Sequence, residues 1–240
     1  MILSISILYF HSNRAIPILT MIMAIVMAVY SLDTNNVFDP CSDTKVLRGD
    51  GFTFGLAFSS KESFFSNQIQ LSPCDTRLSL HGTNAQLAVF RPKVDELTFL
   101  TLNTSDFDPA KAGGYMVAFA GRRYAARSIP TLVADKSNII TSFTLVLEFK
   151  EGRLVNLYWK KFGCKSCAER SGICLDNEVC ATPVSKCKTN GGSVDCSISV
   201  QLAFSGTDKM LEVLNSWYEV EKLRQYSLVG LYEGINGLIG

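Results

Sequence analysis

Residues Ile139–Phe149 read IITSFTLVLEF, Lys150-Glu151-Gly152-Arg153 follow, and Leu154–Trp159 read LVNLYW. Apolar and β-branched residues recur through both runs, and the four residues between them carry glycine and charge. That is the pattern of two antiparallel strands closed by a tight turn. The segment from about 138 to 160 is therefore predicted as a β-hairpin.

Similar stretches lie on both sides of it. Phe52–Phe58 (FTFGLAF) and Gln68–Leu71 (QIQL) alternate with period two. Ala85–Phe90 (AQLAVF), Pro92-Lys93-Val94-Asp95 and Leu97–Leu102 (LTFLTL) suggest strand, turn and strand. Tyr115–Ala120 (YMVAFA), Gly121 and Tyr124–Ile129 suggest another hairpin, and Ser197–Phe204 (SISVQLAF) resumes the alternation. Met210–Leu214 fits a further strand, whereas Lys209–Gln225 fits a helix equally well. Tyr226–Leu238 suits a short amphipathic helix with Leu228, Leu231, Tyr232 and Ile235 on one face. Many short strands without alternating long helices predict a mainly β fold, an antiparallel β-sandwich or jelly-roll-like domain.

The chain of 240 residues is 47% hydrophobic and 19% charged, which suits one large β domain. Its formal net charge is +1, and Arg14 supplies the surplus. A neutral chain has no global field for phosphate backbones, so nucleic acid is excluded as the expected partner.

Residues 1–31 stand apart. Ala15–Val29 (AIPILTMIMAIVMAV) is an uncharged apolar run preceded by Arg14, with the small residues Ala28 and Ser31 near its end. That is the make-up of a signal peptide cut near Ser31. An uncleaved membrane anchor is the alternative, although the run is short for a span of about 20 residues and Pro17 interrupts it. Residues 32–240 then form a single secreted domain, away from the membrane after cleavage.

All eight cysteines follow the leader: Cys41, Cys74, Cys164, Cys167, Cys174, Cys180, Cys187 and Cys196. An even count behind an export signal predicts four disulfides. Cys41 with Cys74, in Asp39-Pro40-Cys41 and Ser72-Pro73-Cys74, is the expected first pair, and the other six pair among themselves. Residues 164–187 lack periodicity and cannot bury a core, so they form a stapled excursion between strands. The CxxC at Cys164-Lys165-Ser166-Cys167 also has zinc-ligand spacing, but the segment has no histidine and secretion favours disulfides. No metal and no cofactor are expected.

Catalytic constellations are missing. His81 is the sole histidine after the leader, in a loop-like His81-Gly82-Thr83-Asn84, and no GxSxG elbow occurs. Carboxylates could act in pairs on a glycan, and the candidates are Asp50, Asp95, Glu96, Asp106, Asp108, Glu148 and Glu219. Most sit beside turns, where solvation and turn chemistry account for them. Asp106-Phe107-Asp108 lacks the glycine and distant glutamate of a calcium loop. Asn103-Thr104-Ser105 is an N-glycosylation sequon. Arg122, Arg123 and Arg127 with Tyr124 form a basic-aromatic strip suited to acidic polymers, because guanidinium pairs bidentately with carboxylate. Trp159 and Trp217 are further candidates for stacking on sugars.

RGDGFTFGLAFSSKESFF (48–65), GGYMVAFAGRRYAARS (113–128), SFTLVLEF (142–149), GGSVDCSISVQLAFSGTDK (191–209) and LNSWYEVEKLRQYSL (214–228) together resemble a family of secreted, cysteine-containing land-plant proteins. Some relatives carry expansin-like labels, although the expansin His-Phe-Asp motif is absent here. The resemblance implies an apoplastic or cell-surface setting and adds no catalytic residue. The leading expectation is a non-enzymatic module that binds or organises cell-wall polysaccharide or wall protein. A secreted hydrolase with paired carboxylates, and a signalling or defence protein that recognises its partner through the cysteine cluster, are the alternatives.

Overall fold

Two β-sheets pack face to face, and side-chain alternation decides which face of each strand lies inside. The computed structural model describes residues 33–225 except 79, 81–83, 105–106, 124, 165–166, 168–171 and 176–177. The leader, His81, Asp106, Tyr124 and the helix expected in 226–238 lie outside the described residues. In chain order the strands are β1 (Phe54–Ser59), β2 (Phe65–Ser66), β3 (Ile69–Gln70), β4 (Gln86–Phe90), β5 (Thr98–Leu102), β6 (Tyr115–Ala120), β7 (Ala126–Arg127) and β8 (Thr131–Leu132). They continue with β9 (Asn138–Ile139), β10 (Ser142–Lys150), β11 (Arg153–Lys160), β12 (Ile173–Leu175), β13 (Val179–Pro183), β14 (Ile198–Thr207) and β15 (Val213–Leu214). One helix, α1 (Ser216–Gln225), follows them. The first sheet has the order β4-β1-β6-β7 with β8 also on β6, and the second has the order β11-β10-β14-β15 with β5 on β14. The protein is mainly β, as its alternation predicts.

The core lies between the sheets. Phe54, Leu56 and Phe58 of β1 and Met116, Ala118 and Ala120 of β6 share one cluster with Leu145, Leu147 and Phe149 of β10 and Val200, Leu202 and Phe204 of β14. The Phe149 ring meets Phe52 edge-on at 5.1 Å and lies 6.1 Å from Phe204. Strands β1 and β6 also bury their outer face, where Ala57, Phe64, Val117 and Phe119 form a second cluster. Gly55 is required there, because a Cβ at that position would run into the Phe119 ring.

The hairpin read from residues 138–160 is present as β10 and β11, with Lys150 opposite Arg153. Glu151 and Gly152 between them have φ of 52° and 75°, the double positive φ of a hairpin turn that matches the twist of its strands. The hairpin of β6 with β7 is also present, with Phe119 opposite Arg127.

Two pairings differ from expectation. Strands β4 and β5 do not form a hairpin: β4 pairs with β1 in the first sheet and β5 with β14 in the second. The segment between them is held elsewhere, since Phe52 N donates to Pro92 O (2.8 Å), Val94 N to Asp50 O (2.8 Å) and Gly49 N to Val94 O (3.0 Å). The second difference is that β10 and β14 run parallel, Ser142–Phe149 beside Ser199–Gly206. Every other strand pairing among the described residues is antiparallel. The reason is topological. Strand β11 returns the chain to the end where β10 begins, with Lys160 opposite Thr144. The chain then passes around that end of β10 and re-enters on its other side, so β14 must run in the direction of β10.

The cysteine-rich excursion is this crossover. It spans two strand spacings, about 10 Å, yet uses residues 161–197. Within it β12 and β13 pair, and β13 adds to β9 just before β10. The disulfides are Cys41–Cys74, Cys164–Cys174, Cys167–Cys180 and Cys187–Cys196, and no cysteine is free. The stapled region therefore runs to Cys196, beyond the boundary at 187 read from the sequence.

Both readings of 209–225 hold in part. Val213 and Leu214 pair with Thr207 and Gly206, and α1 begins two residues later. Asp95, distant in sequence, starts the helix by accepting hydrogen bonds from Asn215 N (2.6 Å) and Ser216 N (2.7 Å). Among the described residues no helix is long and apolar enough to cross a membrane.

Candidate functional site: a basic cleft

The Cys41–Cys74 bond fixes the segment after β3 beside the β6–β7 hairpin. The chain turns there, with Asp75 N donating to Ser72 O (2.8 Å) and Leu78 N to Asp75 O (3.1 Å). Between this turn and the hairpin lies a cleft of about 300 Å³, lined by Leu71, Ser72, Cys74, Asp75, Thr76, Arg77, Arg122, Ala125 and Arg127. Three guanidinium groups face one carboxylate.

The arginines are held differently. Arg77 chelates Asp75, Nε to Oδ1 at 3.0 Å and Nη2 to Oδ2 at 2.8 Å. These hydrogen bonds hold the Asp75 carboxyl down at about 2. Arg127 is anchored by Nη2 to Gln70 O (2.7 Å) and Nη1 to Ala125 O (3.2 Å), while its Nε is buried without a hydrogen-bond partner. Gln70 is fixed in turn by Nε2 to Ser128 O at 2.7 Å. Arg122 is exposed, and its charge acts through space on Asp39 and Asp75. The exposed Arg122 guanidinium, beside the anchored Arg127 and the Asp75–Arg77 pair, is the group in the cleft that a carboxylate or another oxyanion could meet.

The residues singled out in the sequence do not all meet. Arg122 joins Arg127 in the cleft. Arg123 is exposed and donates its backbone N–H to Asp43 Oδ2 at 3.0 Å, and it does not line the cleft. Trp159 turns inward: it lies opposite Leu145, its ring is 5.7 Å from Phe143, and its Nε1 is buried without a partner. Trp217 sits on α1 with Lys160 Nζ 5.3 Å from its ring centre. Arg77 and Asp75 were missed by the sequence reading. The available signal was the Cys41–Cys74 pairing, which brings the turn after Cys74 against the first sheet.

The candidate carboxylates are dispersed, and most are engaged by their surroundings. Asp50 accepts from Thr34 N and Leu47 N, both at 2.7 Å. Asp95 caps α1 and pairs with Arg48 Nε at 3.0 Å. Asp108 accepts from Ala110 N (3.1 Å) and Lys111 N (3.2 Å), Glu96 pairs with Lys93 (3.3 Å), and Glu148 accepts from Asn156 Nδ2 (3.3 Å). Glu219 lies in the first turn of α1. Asn103 is exposed immediately after β5, and Thr104 lines a second cleft of about 540 Å³ with residues 107–111, residues 134–136 and the excursion.

Comparison with curated proteins and with solved structures returns no match. A family model described as Uncharacterised protein DDB_G0273449 matches residues 13–139 and 132–239, well over half of the chain, and the chain belongs to that family.

Proposed function

We propose that this is a secreted, non-enzymatic module that binds acidic cell-wall polysaccharide, seating uronate carboxylates in the Arg77–Arg122–Arg127 cleft. The observation that carries the reading is the charge of the cleft, three guanidinium groups against one carboxylate, with Arg122 exposed in it. Four disulfides suit an oxidising compartment. The apolar leader and the resemblance to secreted land-plant proteins support the same setting, with Asn103 carrying an N-glycan.

The test is binding to immobilised polygalacturonate, to its methyl ester and to a neutral glucan. Saturable binding to the free acid is expected, falling with salt. Arg122→Ala should weaken it about tenfold, since one charge-assisted hydrogen bond contributes roughly 1.5–3 kcal/mol. Equal retention on the ester and the acid would sink the carboxylate reading.

A further inference from the structure

We propose that Cys164, Cys167, Cys174 and Cys180 form a thiol–disulfide exchange site. An incoming thiolate converts the pairing Cys164–Cys174 with Cys167–Cys180 into Cys164–Cys167 with Cys174–Cys180.

Both pairings fit one backbone. The Sγ atoms of Cys164, Cys167 and Cys174 lie within 4.8 Å of one another, and Cys180, outside that trio, is bonded to Cys167. Cys174 stands directly opposite Cys180 in the β12–β13 register. Opposed residues of an antiparallel pair have Cα atoms roughly 4.5–5.5 Å apart, inside the range of about 4.4–6.8 Å that a disulfide bridges. Cys167 N donates to Cys164 O at 3.0 Å, and a hydrogen bond across that separation keeps the two Cα atoms within about 7 Å. The existing bonds span 5.6 and 5.2 Å between Cα atoms.

Exposure sets the order of steps. Cys174 is exposed, Cys164 and Cys180 are half-buried and Cys167 is buried. The thiolate of a small or protein thiol attacks Cys174 Sγ, forming a mixed disulfide and releasing the Cys164 thiolate. Cys164 Sγ attacks Cys167 Sγ, and the Cys180 thiolate leaves. Cys180 Sγ then attacks Cys174 Sγ and expels the entering thiolate. Three bonds form, three break, and no net oxidation occurs. The exchange removes both covalent ties of Cys164 and Cys167 to strands β12 and β13. Cys187 and Cys196 are both buried, outside this sulfur cluster.

The test treats the folded, oxidised protein with a substoichiometric amount of glutathione, traps thiols in acid and maps the disulfides by peptide mass. Expected are Cys164–Cys167 and Cys174–Cys180 growing at the expense of the two original bonds, with Cys41–Cys74 and Cys187–Cys196 unchanged. An unchanged map, or scrambling that draws in Cys187 and Cys196, overturns the proposal. Cys174→Ser tests the middle step without added thiol. Alkylation should then appear at Cys180 as well as at Cys164, and labelling of Cys164 alone refutes the transfer. If that variant does not fold, the map of the unaltered protein decides by itself.

Discussion

The paired sheets and the excursion between β11 and β14 are held together by different forces. The sheets share a cluster of phenylalanines, leucines, valines and isoleucines from five strands. Among the described residues from 161 to 197, the buried side chains are Cys167, Ala181, Cys187 and Cys196. The first region excludes water by burying apolar area, which contributes about 25 cal/mol per Å². The second adds Ala181 to that core, with Leu175 and Val179 packed partly buried against it, and its staples supply much of the remaining order by constraining the unfolded chain. A parallel strand pair can thus be built with a crossover that gives the core only a narrow apolar edge, Ala181 with Leu175 and Val179, provided covalent bonds order the rest.

The largest effect should come from cutting into the shared core. Phe204 is fully buried between the sheets, against Phe149. Phe204→Ala should lower the unfolding free energy by about 3–5 kcal/mol, through lost transfer energy and the cavity left behind. Urea unfolding followed by tryptophan fluorescence measures it. A loss below about 1 kcal/mol would mean that the sheets do not share a core. Replacing Cys187 and Cys196 by serine should act next most strongly and in a different place. The loop they close is short, and the chain-entropy estimate gives about 2–3 kcal/mol. Hydrogen exchange should speed up in residues 184–196 and in β9, while β10 and β14 keep their protection. Equal loss of protection in β14 would erase the distinction between the two regions.

That distinction also marks what the sequence discloses. The hairpin of β10 and β11 is legible because alternation, turn residues and register all act within about 20 residues. That there are four disulfides is legible from the even cysteine count, and the Cys41–Cys74 pair from its place, but how the other six cysteines pair is not. The parallel pairing of β14 with β10 is not legible, because it depends on which end of β10 the crossover passes. Strands β4 and β5 read as a hairpin because alternation says nothing about partners. The hydrogen bonds of residues 92–94 to 49–52 send them to different sheets. The basic cleft was half legible. Arg122 and Arg127 share a strip of sequence, but Arg77 reaches them through a disulfide and two turns.

A smaller effect concerns the carboxylate that fastens the 208–214 turn to the first residues of the sandwich. Asp208 is buried, which alone would raise its pKa. Hydrogen bonds from Arg48 N (3.0 Å), Glu212 N (2.9 Å) and Met210 N (2.7 Å) outweigh burial and leave the carboxyl below the ordinary 3.8. A group with a depressed folded pKa contributes its stability above the unfolded value and loses it as pH falls through the folded one. Stability should therefore drop as pH falls below about 4. Asp208→Asn should lose about 1–3 kcal/mol at neutral pH and show a shallower acid decline. An unchanged acid profile in that variant would assign the decline to other carboxylates.

The smallest expected change in stability is the one that separates binding from folding. Arg122 is exposed and sits beyond the end of β6, outside both the shared core and the staples. Its attraction to Asp39 and Asp75 acts through solvent, where screening leaves little net energy. Arg122→Ala should thus alter unfolding by no more than about 0.5 kcal/mol, while polygalacturonate binding falls about tenfold. Arg127→Ala should weaken binding too, but it also removes the bonds to Gln70 and Ala125, so its stability falls with it. Unfolding curves and binding isotherms on the same preparations test the pair. If Arg122→Ala loses stability in step with Arg127→Ala, the cleft arginines are fasteners of the disulfide-tied turn. If Arg122→Ala loses affinity alone, the two arginines divide the labour, one holding the wall of the cleft and the other meeting the ligand.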